Sequence, residues 1–196
     1  MVRDAVKYVL NRFNLHSQIE YRPLSHDIGA DDKPKRTRPD GITPILSKMW
    51  DVGIPNRTCE SYIKRHSAES GLVAAEIYEK RKAKKYDALA EKEGVTFIPL
   101  IFESFGGFGD RAREFICVAS EKAVDISGGG TLERSDVLNY MRTVIAFAIV
   151  NGNARLIRNA LLLAAKRPAN TVNVLTRTVV SARGGVTRSF RRIVNS

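Results

Sequence analysis

The chain has 196 residues, with 32 Lys and Arg against 21 Asp and Glu, giving a formal net charge of +11. This length allows one well-buried domain with an appendage, since such a chain hides roughly 70% of its unfolded surface, but it leaves little room for two full domains. No apolar stretch approaches the ~20 residues of a membrane span and the N-terminus lacks a signal peptide's apolar core, so we expect an intracellular protein, nuclear if eukaryotic.

The first third of the chain predicts a helix, a strand, an exposed loop and two further strands. Helical spacing of Val6, Val9, Leu10 and Phe13 indicates a helix over residues 3–14. The other predicted elements are a strand over 18–24 that contains Glu20, a polar loop over 26–39, and strands over 40–46 and 49–54.

The remaining chain predicts mostly helices. The expected elements are a helix over 72–91, a strand over 95–105, a helix over 110–124, and helices over 131–150 and 153–167 that are separated at Asn151-Gly152. Gly128-Gly129-Gly130 is the expected boundary between a core of residues 1–127 and a helical basic extension of residues 128–196. The fold class is therefore α/β, with a central mixed sheet flanked by helices.

The end of the chain carries most of the surplus positive charge. Residues 151–196 contain nine Lys and Arg and no Asp or Glu. Nucleic acid is the commonest partner of such a segment, although a membrane surface or an acidic protein is also compatible with it. The expected phosphate contacts are Arg155, Arg158, Lys166, Arg167, Arg177, Arg183, Arg188, Arg191 and Arg192.

Three carboxylates occur within apolar, strand-like runs, namely Asp40, Asp51 and Glu103. A buried carboxylate needs a partner, because leaving an ionised group unpaired in the interior is costly. If Asp40 and Asp51 lie on neighbouring strands, they raise each other's pKa until a cation relieves the repulsion, and Mg²⁺ (or Mn²⁺) suits this role. Alternatively, each aspartate pairs with an arginine or caps a turn.

The predicted helix over 72–91 offers cations to such a site. Glu79, Lys82 and Tyr86 share one helix face, with Lys85 beside it. A lysine directed at a bound phosphate would stabilise charge in the transition state. Read alone, the run Lys80–Lys85 favours a solvated basic face or a localisation signal.

Together these motifs resemble a known nuclease family. The motifs are Arg38-Pro39-Asp40, Trp50-Asp51-Val52, Glu79-x-x-Lys82-x-x-Lys85-Tyr86, Phe97-Ile98-Pro99-Leu100, Glu103-Ser104-Phe105-Gly106-Gly107 and Gly152-Asn153-Ala154-Arg155. They resemble the restriction-like endonuclease domain that follows the reverse transcriptase in some non-LTR retrotransposons, a variant of the PD-(D/E)XK fold.

The resemblance implies a role for each motif residue. Asp40 and Asp51 would hold the metal, Glu20 would add an acid, and Lys82 or Lys85 would replace the lysine that the pattern expects where Gly53 stands. Tyr86 would support the lysines, Arg38 and Tyr86 would contact nucleic acid, and Glu103 would orient the metal shell or serve the structure. The upstream reverse transcriptase and zinc knuckle of the family do not occur in this sequence.

Three functions are thus compatible with the sequence. The leading hypothesis is a divalent-metal-dependent DNA endonuclease of the mobile-element type, with RNA as a possible substrate. The second is a catalytically inactive, nuclease-derived module that binds nucleic acid. The third is a basic structural or assembly protein.

Overall fold

The computed structural model describes residues 1–21, 38–65, 67, 69–128 and 132–165. Its elements in chain order are α1 (Val2–Arg12), β1 (Gln18–Ile19), β2 (Gly41–Thr43), β3 (Lys48–Gly53), α2 (Glu60–Ile63), α3 (Val73–Lys92), β4 (Thr96–Ile101), α4 (Asp110–Ile126) and α5 (Arg134–Ala165). The predicted α/β class is confirmed, with one four-stranded mixed sheet.

The strands lie in the sheet in their sequence order, β1-β2-β3-β4. β2 pairs antiparallel with both β1 and β3, and Gly41 lies opposite Trp50. β3 and β4 are parallel, with Asp51 opposite Pro99. A parallel pair needs a crossover connection, and α3 lies within that connection.

Helices cover both faces of the sheet. The larger core joins one face to α1, α4 and α5, and its sheet residues include Trp50, Ile98 and Leu100. On the opposite face, Met49 and Phe97 pack against Tyr86 of α3. Alternate residues of β3 and β4 therefore face different helices, as the two-residue period of a strand requires.

The strands around Asp40 are shorter than predicted. The predicted strand over 40–46 ends at Thr43, and Pro44–Leu46 form a single 3-10 turn. Pro44 explains the ending, because proline cannot donate to a strand ladder but suits the first position of a helical turn. β1 comprises only Gln18–Ile19, and the predicted loop over 26–39 lies mostly outside the described residues.

The prediction that Glu103 belongs to a strand was wrong. β4 ends at Ile101, and Phe102 forms an isolated bridge with Phe108. The intervening turn is closed because the Glu103 N–H donates to the Gly107 carbonyl at 2.7 Å. Glu103 therefore lies beyond the end of β4.

The predicted helix break at Asn151-Gly152 was also wrong. α5 continues through both residues from Arg134 to Ala165. Gly152 lies against Met1, and a Cβ on Gly152 would stand 2.9 Å from the Met1 Cε. The helix thus continues through a residue type that costs about 1 kcal/mol within a helix.

The compact unit that contains the sheet comprises Met1–Ala154, and Arg155 begins a second unit. This first unit extends past residue 127, where the sequence placed its end, because Met141, Ile145 and Ile149 of α5 are buried in the core. Among the residues with a described structure, no helix has the length and apolar character that crossing a membrane requires.

Gly41 lets β2 lie close to the Trp50 ring, and we expect Gly41→Ala to destabilise the protein. A Cβ there would stand 2.3 Å from the Trp50 ring and 2.7 Å from the Gln18 carbonyl oxygen. Overpacking of this kind costs about 1–3 kcal/mol. Denaturant unfolding measures the change, with Gly71→Ala as control, because a Cβ on Gly71 meets no atom within 4 Å. Equal stability of the two variants would contradict close packing of Gly41 on Trp50.

Candidate active site

Helix α3 and strand β3 have matching spacings. Four helical residues rise about 6 Å, close to the rise of two strand residues. Tyr78 of α3 packs on Gly53, Lys82 meets Asp51, and Tyr86 packs on Met49. Every second residue of β3 therefore contacts every fourth residue of α3. Asp51 is one of these strand residues, so its side chain points at the helix.

Asp51 and Lys82 form a buried ion pair. The Lys82 Nζ donates to the Asp51 Oδ2, and the two side chains are 18% and 5% exposed, respectively. The Lys82 Nζ also lies 5.6 Å from the Tyr78 ring centroid and 5.8 Å from that of Tyr86. Two aromatic faces thus hold the ammonium group beside the carboxylate.

Asp40 lies immediately before β2 and faces Asp51. The pairing of Gly41 with Trp50 places Asp40 and Asp51 opposite one another when it is continued by one residue. The Val52 N–H donates to the Asp40 Oδ2 at 2.9 Å. The two aspartates therefore lie on adjoining backbone segments, with Asp51 within β3 and Asp40 just before β2.

The surroundings of Asp40 disfavour its charge. Burial raises the pKa of the Asp40 carboxyl, and the negative charge of Asp51 raises it further. The hydrogen bond from Val52 and the charges of Arg3 and Lys82 act in the opposite direction, and the net result is a raised pKa. A second cation beside Asp40 would favour its ionised form.

Tyr86 connects helix α3 to the chain segment that precedes Asp40. Its hydroxyl donates to the Arg38 carbonyl at 3.0 Å and accepts a hydrogen bond from the Lys85 Nζ at 2.9 Å. Burial, followed by the charge of Asp51, raises the pKa of the Tyr86 phenol, so the hydroxyl stays protonated. Tyr86 thus holds Lys85, whereas Lys82 is the lysine that contacts an acid.

The Glu20 carboxylate is exposed and pairs with Arg3 at 3.6 Å. Its backbone N–H donates to the Asp40 carbonyl, and its carbonyl accepts from Arg38. Glu20 thus contacts Asp40 through its backbone. In the described part of the chain, the Glu20 carboxylate makes no contact with Asp51. Arg3, which the sequence did not single out, lies near both Glu20 and Asp40.

Glu103 and Glu79 bind backbone N–H groups near the beginnings of helices. The Glu103 Oε1 accepts from the Ala75 N–H at 3.2 Å, and its Oε2 lies 3.9 Å from Arg57. The Glu79 Oε1 accepts from the Arg111 N–H at 3.3 Å. Glu103 thus stabilises the start of α3, which corresponds to the structural alternative for this residue, and Glu79 stabilises the start of α4.

Of the basic residues that the sequence predicted as phosphate contacts, the structure describes two. Arg155 and Arg158 are exposed on α5, within the second unit. The remaining predicted phosphate contacts lie outside the described residues, namely Lys166, Arg167, Arg177, Arg183, Arg188, Arg191 and Arg192.

Comparison with family models, curated proteins and solved structures finds no match to this chain. Within the described ranges, no group of three or more His, Cys, Asp or Glu side chains is arranged to hold a metal ion. A cation at the site would therefore depend on the two aspartates.

Loss of Lys82 should destabilise the protein strongly. Lys82→Met leaves Asp51 buried without a cation, and breaking a buried ion pair costs about 3–5 kcal/mol. Lys80→Met is the matched control, because Lys80 and its partner Glu76 are 75% and 62% exposed, and we expect under about 1 kcal/mol there. Denaturant unfolding of Lys82→Met, Asp51→Asn and the double variant gives the coupling energy. Equal losses for the two lysine variants would contradict a buried pair.

Removing the Asp40 charge should stabilise the metal-free protein at neutral pH. Because the pKa of Asp40 is raised in the folded protein, folding favours its protonated form. The contribution of Asp40 to the free energy of unfolding is therefore full below its unfolded-state pKa and is lost as the pH rises through its folded-state pKa. Asp40→Asn avoids this loss and retains an acceptor for Val52. We expect a Tm above that of the wild type at pH 7 in chelator, and a difference that shrinks as the pH falls to about 4. Asp87→Asn, at an exposed position of α3, is the control.

Proposed function

We propose that the protein is a divalent-metal-dependent endonuclease that hydrolyses phosphodiester bonds in DNA, built on a PD-(D/E)XK-like core. The observation that carries the proposal is the convergence of Asp40, Asp51 and Lys82 on one face of the sheet. Two acids and a lysine are the groups that the resemblance to retrotransposon endonucleases implies. Lys82 is preferred over Lys85 because it contacts Asp51 directly.

We assign Asp40 and Asp51 as the residues that would hold a magnesium ion. Mg²⁺ is commonly bound by one or two carboxylates, and its other positions go to water and substrate phosphate. The raised pKa of Asp40 supports this assignment, because a cation would relieve both its repulsion from Asp51 and part of its burial cost. Asp40 and Asp51 would hold the ion, which would activate a water and neutralise charge on the phosphate.

The protein's own groups would then position the substrate. Lys82 would donate from its Nζ to an oxygen of the scissile phosphate, exchanging part of its contact with Asp51 for one with the substrate. Tyr86 would hold Lys85 in place near the substrate through the hydrogen bond between them. Glu20 would assist through Arg3 and its backbone contact with Asp40 rather than through the metal.

Packing at Gly53 supports the migration of the lysine to the helix. A Cβ on Gly53 would stand 2.5 Å from the Tyr78 ring and 2.8 Å from the Ile101 Cδ1. A lysine at this position would therefore displace Tyr78 from the strand. Lys82, one helical turn further along α3, delivers a cation to Asp51 without that displacement.

The second candidate is a nuclease-derived module that binds nucleic acid without cleaving it. The Lys82 ion pair favours this reading, because it already neutralises Asp51 without a metal. The binding module predicts retention of DNA in chelator and no turnover with added Mg²⁺ or Mn²⁺. The assembly-protein hypothesis instead predicts cooperative coating of DNA and self-association.

A nicking assay on supercoiled DNA tests the endonuclease. We expect cleavage with Mg²⁺ that stops in chelator, a loss of about a thousandfold or more in Asp51→Asn and Asp40→Asn, and a loss of about a hundredfold in Lys82→Met. Lys85→Gln should lose less, since Lys85 contacts Tyr86 and neither aspartate. Asp87→Asn is the control carboxylate on the same helix.

Undiminished cleavage by Asp51→Asn would remove its assigned role. Absence of cleavage by the wild type with either metal, together with salt-sensitive DNA binding, would establish the binding module instead. A metal titration followed by Tm separates these cases further. Mg²⁺ should raise the Tm of the wild type, because a ligand that binds only the folded state stabilises it, and should not raise that of Asp40→Asn.

A further inference from the structure

A groove on the outer side of α3 is lined by positive side chains. Its volume is about 300 Å³, and the described residues that line it are Arg81, Lys82, Lys84 and Lys85. Lys82 is half-buried, while the other three residues are exposed. The groove thus joins the lysine of the candidate active site to the helix surface.

Within the described part of the chain, three of these cations have no acidic partner. Lys80 pairs with Glu76 and Lys82 with Asp51, but no carboxylate of the described residues pairs with Arg81, Lys84 or Lys85. Cations three or four positions apart on a helix repel one another. An external polyanion would relieve this repulsion.

Aromatic rings hold two of the cations in place. The Arg81 guanidinium lies 5.4 Å from the Tyr78 ring centroid, and the Lys85 Nζ lies 4.5 Å from that of Tyr86. The Lys85 Nζ also donates to the Tyr86 hydroxyl. Because these contacts reduce side-chain freedom before binding, less entropy is lost when a ligand is bound. A solvated basic face does not need such contacts.

We propose that this groove binds a nucleic-acid strand, with Arg81, Lys84 and Lys85 contacting the phosphates next to the one that reaches Lys82. The inference rests on the proposed function for its ligand, a phosphodiester chain, but not on cleavage. Phosphate contacts of this kind supply affinity and orientation without selecting a sequence. The groove therefore separates binding from chemistry, with Lys82 alone belonging to both.

The test compares two double variants of the full chain in chelator, so that no metal-dependent cleavage contributes. Arg81→Gln/Lys84→Gln removes two charges from the groove. Arg12→Gln/Lys122→Gln removes two charges from α1 and α4, which pack on the opposite face of the sheet. Binding of a labelled DNA duplex is measured across a series of salt concentrations, and thermal unfolding confirms that each variant is folded.

We expect the groove variant to bind about tenfold more weakly at low salt and to lower the slope of log Kd against log salt by about 1 to 2. The control variant should change neither quantity by a comparable amount. Arg81→Glu/Lys84→Glu should weaken binding further. If cleavage occurs, the groove variant should raise KM and leave kcat unchanged, since both positions lie outside the acid pair.

Equal affinity and salt slope in the groove and control variants would overturn the inference, even if the wild type cleaves DNA. A selective loss in the groove variant supports it even if the wild type does not cleave, in which case the endonuclease proposal fails alone. Phosphatidylserine vesicles and polyglutamate serve as alternative anionic ligands, and the binding of the groove variant to each is compared with that of the wild type. A larger loss of binding to either of these than to DNA would overturn the assignment to nucleic acid.

Discussion

The ion pair between Lys82 and Asp51 is the interaction on which the site depends. It joins α3 to the centre of the sheet and removes two charges from water, so its net contribution to stability is small compared with a well-packed apolar pair. The main contribution of the pair is to fix the position of α3 on the sheet. A charged lysine at this depth must stay beside its carboxylate, which fixes how α3 lies along β3 and directs Tyr78 and Tyr86 at Gly53 and Met49.

The two aspartates differ in how their charge is compensated. Asp51 has a lysine in contact, whereas Asp40 has one backbone N–H and lies where burial and its neighbour oppose ionisation. Gly41 contributes to this arrangement, because its lack of a side chain allows the strand after Asp40 to approach Trp50. In the proposed mechanism both aspartates would hold the added cation, and Asp51 would also keep its contact with Lys82.

Local sequence patterns predicted β3 and α3, the two elements that carry the candidate site. They did not predict the continuity of α5 or the position of Glu103. Met49–Ile54 and residues 72–91 have clear strand and helix patterns, and both elements formed within one or two residues of their predicted bounds. α5 continues through Asn151-Gly152 although such a pair is typical of a helix end, so the local pattern alone did not decide this element. Likewise, Glu103 resembles a strand residue until its bond to Ala75, 28 positions away, shows that it stabilises a helix.

The position of α3 links affinity and chemistry in both proposals. Consecutive helical residues point about 100° apart, so Lys82 faces the sheet while Arg81 faces the solvent. Tyr78 contacts both cations, and Glu103 binds the backbone at the start of the same helix. A shift of α3 along the sheet would therefore move the inner and outer cations together. In the two proposals, the helix would orient a phosphate chain and present one of its phosphates to the aspartates, because a single element carries both sets of charges.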